Sequence, residues 1–230
     1  MRRAQLSRRR FIGDLAAAAS MASVAATGLF ATPWVALAEA RLEEGKPLTL
    51  TPAQTAGPYY PTRFPADVDN DLLKLRGHAA DADGTEARVW GRVLDRFGRP
   101  LSGAVVEIWQ CDDHGRYHLV DNERGPRQRD ENFQGFGRTI TDAGGAYWFR
   151  TIRPVDYPGR TAHIHYAVMA EGHDRLVTQL YIEGNATNDR DMVLRAITDP
   201  LQRANVIQPF VETKSGDRKA VAANFDIVVG

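Results

Sequence analysis

A chain of 230 residues has room for one sizeable β domain or two small ones, and its 43% hydrophobic and 25% charged residues are the make-up of an ordinary globular protein. The formal net charge is zero, but residues 1–38 hold five of the 29 basic residues and one of the 29 acidic ones. The body that remains has 24 basic residues against 28 acidic ones, about −4, which excludes a basic surface built to grip nucleic acid.

In chain order, residues 1–38 come first and read as an export signal. Ser7-Arg8-Arg9-Arg10-Phe11-Ile12 is an arginine pair followed by an apolar start, as in twin-arginine signals. An Ala-rich run follows to Leu37, and Ala36-Leu37-Ala38 fits a small-x-small cleavage site. Gly28, Pro33 and that site argue against a retained membrane anchor. The expected partner is therefore the twin-arginine machinery, which exports folded proteins, and the expected location is periplasmic or otherwise exported. The single cysteine, Cys111, excludes an internal disulfide, so stability must come from the core. Its place at the end of an apolar run makes it structural.

Residues 39–86 are expected to form an extended arm, because Pro47, Pro52, Pro58, Pro61 and Pro65 forbid a long helix. Residues 87–230 are expected to form the main domain. Ala87 to Leu94 reads as a strand, then Asp95 to Pro100 as a turn. Ala104 to Trp109, Ala146 to Arg150, His163 to Met169, Leu176 to Ile182 and Phe225 to Val229 are further strands, rich in β-branched and aromatic residues. A short helix is expected near Asp191 to Ile197, ended by Pro200. Short strands separated by turn signals, with little helical periodicity, predict an all-β fold: an antiparallel β-sandwich of mixed topology with long connecting loops and little helix.

His163-Ile164-His165 is the sharpest local feature. On a strand, residues two apart share a face, so two imidazoles can reach one metal while Ile164 points the other way. Zinc hydrolases, cupins and iron enzymes all use such a pair. Tyr157 lies six residues earlier, where Pro158 favours an extended backbone and Gly159 permits a sharp return, so its ring can fold back over the histidines. Tyr117 lies just past the strand that ends near Cys111.

Several stretches, in one order, resemble the intradiol ring-cleavage dioxygenases, and the protocatechuate dioxygenase branch most closely. They are Gly91 to Asp95, Gly98 to Leu101, Gly103 to Gln110, Gly115-Arg116-Tyr117, Phe133 to Arg138, Phe149 to Pro154, Tyr157-Pro158, Ala162 to Tyr166 and Thr178 to Tyr181. The resemblance implies Tyr117, Tyr157, His163 and His165 as ligands of one Fe(III) per chain. Hard anionic phenolates favour ferric iron, whereas zinc sites take Cys, His and carboxylates, and facial-triad Fe(II) sites need a carboxylate. The implied reaction opens a small aromatic diol with O2 between its two hydroxylated carbons to give a muconate-type diacid. By the same analogy Tyr157 is displaced by substrate and accepts a proton, Arg160 stabilises negative charge, and Gln179 lies near the substrate. Tyr59 and Tyr60 are placed at the pocket mouth.

His78, His114, His118 and His173 have no role in this reading. The chain departs from the better-known family members in one place. Its loop from Tyr157 to His163 is cut to Pro158-Gly159-Arg160-Thr161-Ala162, with Thr161 where a proline is usual. The cut leaves one arginine where two are common, and it opens the site to bulkier diols. Two other readings stand beside this one. One is a non-enzymatic transthyretin-like sandwich module, which would lack the Tyr and H-x-H set. The other is a zinc metallohydrolase, which would need a third His or carboxylate ligand. The preferred diol is not legible, and a homo-oligomer remains open.

Overall fold

A computed structural model describes residues 46–65, 67–117 and 128–230 of the chain. The expected signal segment 1–38, the start of the arm and His118 lie outside the described residues. Two five-stranded sheets face each other. The first is built on β1 (Glu86–Asp95), paired antiparallel with β4 (Ala146–Ile152) and parallel with β9 (Arg218–Asn224) and β10 (Ile227–Val229). At its edge β8 (Val211–Ser215) pairs with β9. The second sheet runs β3 (Phe136–Ile140), β2 (Val105–Trp109), β5 (His163–Met169), β6 (Leu176–Ile182), β7 (Ile207–Gln208). The sandwich class expected from the sequence is the one observed.

The core follows from the period of two along each strand. Val89 and Val93 of β1 and Phe149 of β4 meet Val106 and Ile108 of β2 and Ile164, Tyr166 and Val168 of β5, all buried. The alternate residues of the second sheet face outward but are covered in turn. Trp109, Phe136 and Ala167 form a second apolar cluster with Cys111 and Tyr117, under Tyr59 and Tyr60 of the arm. β5 is thus buried on both faces, and its sequence is apolar or aromatic at every position except the two histidines.

β5 and β6 have the ends expected from the sequence. The arm differs from a segment merely laid over the domain. Leu72 and Leu73 are core residues, and Leu72 N donates to Arg150 O at 2.8 Å. The helix expected near Asp191 is a single turn, α1 (Met192–Arg195), with Asp191 as its N-cap. Pro200 does not only end that region. It opens a second helix, α2 (Pro200–Val206), capped by Asp199, because proline fits the first helical position. Strands β3, β8 and β9 carry no alternation strong enough to announce them.

Two constraints hold the first sheet. At Gly91 an added Cβ would lie 1.9 Å from the Phe225 carbonyl oxygen, so only glycine lets the chain between β9 and β10 close onto β1. Tyr147 Oη donates to the same carbonyl at 2.5 Å. Gly91→Ala should destabilise the fold by about 3 kcal/mol, the high end for overpacking. That corresponds to a fall of roughly 6–12 °C in Tm by calorimetry for a domain of this size.

Glu86, at the start of β1, is buried and accepts from Arg150 of β4 at 3.1 Å. Burial pushes its carboxyl up, but the Arg150 guanidinium, Ser215 and Arg88 together outweigh burial and hold it below its ordinary 4.5. A carboxyl depressed in the fold stabilises above its unfolded value and loses that effect as pH falls through the folded value. Wild type should therefore be more stable than Glu86→Gln at neutral pH, with the two melting curves converging as the solution is acidified below 4.5.

Candidate active site

Three elements bring the four predicted ligands together. β5 presents His163 and His165 on its outer face, with their Nε2 atoms 3.1 Å apart. His163 Nδ1 donates to the Thr161 carbonyl at 2.6 Å, which fixes the tautomer and leaves the Nε2 lone pair facing the centre. His165 is oriented by packing instead: its ring stacks on Trp109 at 4.7 Å and 4°. Both imidazoles are buried and held neutral. Burial, followed by the nearby Arg160 charge, pushes His163 down to about 4. Burial, then His163 and Arg160, pushes His165 well below its ordinary value.

Tyr157 reaches the histidines from the loop after β4, in the folded-back position expected from Pro158 and Gly159. Its ring lies 5.6 Å from that of His163, and the loop is closed by Tyr157 N to Arg160 O at 3.3 Å and Arg160 N to Tyr157 O at 2.9 Å. Tyr117 follows a turn past β2 and lies 5.7 Å from Tyr157 and 6.3 Å from His165, ring to ring. That turn rests on Asp112, whose Oδ1 accepts the amides of His114 and Arg116. Burial pushes the Tyr157 phenol up to about 12, and Tyr117 well above its ordinary value.

The fit to a metal can be judged from these groups. Among the described residues, the buried Tyr117 hydroxyl makes no hydrogen bond of ordinary geometry and has only the neighbouring Tyr157 phenol beside it, although buried polar groups seldom go unsatisfied. It faces two neutral imidazole nitrogens and a second phenol. No group of three or more His, Cys, Asp or Glu side chains converges among the described residues, so the donors here are two imidazoles and two phenols. Such a set, with two oxygens that a strong Lewis acid must strip of protons, suits a hard trivalent cation. Cys111, buried nearby, is pushed up to about 12 by its burial and stays a thiol.

Arg160 and Gln179 join the same centre. Arg160 donates from one terminal nitrogen to Gln179 Oε1 at 2.6 Å and from Nε to Asp191 Oδ2 at 2.8 Å. Gln179 sits opposite His165 in the β5–β6 ladder. Three neighbours escaped the sequence reading. Tyr181 Oη donates to Gln179 Oε1 at 2.9 Å, Gln54 of the arm donates to Tyr181 Oη at 2.7 Å, and Asp191 holds Arg160. Only the spacing of Gln179 and Tyr181 on one strand, two residues apart like the histidine pair, carried a signal for any of them.

The arm roofs the centre. Tyr59 stacks on Tyr117 at 4.2 Å and 9°, and Tyr60 meets Trp109 edge-on at 5.0 Å. Tyr60 Oη donates to Glu107 Oε2 at 2.9 Å, and Arg138 donates to Glu107 Oε1 at 2.6 Å. A cavity of about 220 Å³ borders Tyr157, Gly159, Arg160 and Thr161. A larger one, about 950 Å³, lies between residues 50–55, α1 and the last strand, and none of the four converging residues lines it. His114 and His173 bond backbone carbonyls and His78 meets Asn132, away from the centre.

A family model described as Dioxygenase matches residues 55–230. The protocatechuate 3,4-dioxygenase beta chain of Burkholderia cepacia is 35% identical over 181 residues, which cover 75% of this chain and 76% of that one. The catechol 1,2-dioxygenase of Acinetobacter baylyi is 30% identical over 192 residues, 70% of this chain but only 60% of its own length. Among solved structures, the dioxygenase domain of a dioxygenase–carbohydrate-binding protein fusion from Streptomyces sp. SirexAA-E superposes with a TM-score of 0.58. It is 30% identical, and the match covers 78% of this chain and 97% of that domain.

If Glu107 fastens the roof, Glu107→Ala should release it. Limited proteolysis read by mass spectrometry should then cut residues 57–65 at least about tenfold faster than in wild type, since local opening sets the cleavage rate.

Proposed function

The chain belongs to the intradiol ring-cleavage dioxygenase family, and on that premise we propose that it opens a catechol-type ring between its two hydroxylated carbons with O2, using one ferric ion held by Tyr117, Tyr157, His163 and His165. The observation that carries this reading is the meeting of two neutral imidazole nitrogens, 3.1 Å apart, with two phenols, one half-buried and the other buried without a hydrogen bond of ordinary geometry. Bound there, ferric iron would draw electron density from a chelating diol and make its ring reactive toward O2.

The side chains supply the rest. Tyr157 stands half-buried on a loop, whereas Tyr117 is buried under Tyr59 and the histidines are fixed on β5, so Tyr157 is the ligand able to give way to a diol. Away from a metal its phenol holds a proton up to about 12, so the freed Tyr157 Oη takes one of the two protons the diol must lose. The Arg160 guanidinium, charged at every working pH, balances the negative charge that the diol brings in. Gln179 holds Arg160 in place through Oε1 and is itself held to the arm, its Nε2 donating to Thr55 O at 2.9 Å. Trp109, Tyr59 and Cys111 keep the pocket apolar and exclude water. Both oxygen atoms of O2 end in the diacid product.

The short loop supports a substrate larger than catechol. Gly159 has nothing within 4 Å of where a Cβ would stand, and the 220 Å³ cavity beside it has room for ring substituents. For residues 1–38, the arginine pair and the Ala36-Leu37-Ala38 site support export by the twin-arginine route.

The purified protein should hold about one iron per chain and show the visible charge-transfer colour of ferric phenolate, with O2 uptake on a panel of substituted catechols. Tyr157→Phe should shift that band with iron still bound. An unchanged spectrum at full iron occupancy would remove Tyr157 from the ligand set.

A further inference from the structure

Asp191 is absent from the roles above, yet its carboxylate accepts four hydrogen bonds beside the site. Its side chain is completely buried. Oδ1 accepts the amides of Val193 and Leu194, both at 2.9 Å, and so caps α1. Oδ2 accepts Arg160 Nε at 2.8 Å and the Thr161 amide at 3.0 Å. One carboxylate thus ties a helix start to the two residues just before the Ala162-His163 step. We propose that Asp191 is the positioning residue for Arg160, setting where its guanidinium stands over the centre; this rests on the dioxygenase reading of the site.

The geometry favours this over a purely structural cap. A helix cap needs one side-chain acceptor, and Ser, Thr or Asn would serve. Only a carboxylate has a second oxygen free to take a charged Nε–H and a backbone amide together. An asparagine would turn an NH2 toward one of those donor pairs. The arginine is held on two edges, by Asp191 at Nε and by Gln179 at one terminal nitrogen. The Tyr181 hydroxyl, bonded to Gln179, stands against the same guanidinium. The Thr161 amide is part of the same device, and a proline at that position would have no N–H to give.

Asp191→Ser tests the idea, because serine keeps a capping oxygen for α1 while being too short to reach Arg160. In the iron-loaded full-length protein, Asp191→Ser should leave iron content and the visible band unchanged. It should lower kcat/KM on the order of tenfold, since the charge that Arg160 balances is present in the bound diol as well as in the transition state. In an Arg160→Ala background the same change should have no further effect, since its target is gone. An equal loss in both backgrounds, or wild-type kcat/KM in the single variant, overturns the proposal. A crystal structure of Asp191→Ser gives a second readout that does not need activity. The Arg160 guanidinium should be displaced or spread over several rotamers, and one unmoved within about 0.5 Å, the tolerance of a preorganised site, overturns the proposal as well. If wild type binds no iron and turns over no diol, the functional reading fails, and the crystal structure still decides whether Asp191 holds Arg160.

Discussion

The register of β5 is the constraint on which the site depends. Ile164, Tyr166 and Val168 must enter the core between the sheets, and their burial forces His163 and His165 to the opposite face. A slip of one residue would turn the two imidazoles in among aliphatic side chains and aim Ile164 and Tyr166 at the phenols instead. The same packing that stabilises the sandwich therefore aims two nitrogens at one point. Ladders to β2 and β6 on either side hold that register.

Around this fixed pair the rest of the centre is built from connecting segments. Tyr117 follows a turn set by Asp112, Tyr157 rides a short loop, and Tyr59 and Tyr60 come from the arm. Rigid nitrogen donors on a strand and oxygen donors on loops divide the work, since one set must stay and part of the other must yield. Burial alone leaves all four groups neutral, so the centre in isolation is a set of ligands awaiting a cation strong enough to take protons from phenols.

Much of this was legible in the sequence, for physical reasons that differ by element. β5 and β6 are runs of mostly apolar, β-branched and aromatic residues closed by turn residues, so both ends could be read. β8 forms the edge of its sheet with Glu212 and Lys214 exposed, and β9 beside it opens on exposed Arg218 and Lys219 before Ala220, Val221 and Ala223 turn inward, so burial writes no clean alternation into either. The four proposed ligands stood out because their residue types and spacing are unusual. Asp191 and Gln54 did not, since their importance comes from partners 30 and 125 positions away, such as Thr161 and Gln179. An aspartate before an apolar turn signals a helix cap, and its second oxygen leaves no trace in the sequence.

The arm also ties the site to distant strands. Gln54 N donates to Val177 O of β6 at 2.7 Å, and Thr51 exchanges hydrogen bonds with Val228 of β10. The segment that covers Tyr117 is thus pinned by two strands more than 120 and 170 positions further along the chain. Contacts of that range form only after distant segments have met. Completing the sandwich is therefore the condition for covering the centre: until β6 and β10 are in place, Tyr59 has no anchored segment from which to stack on Tyr117.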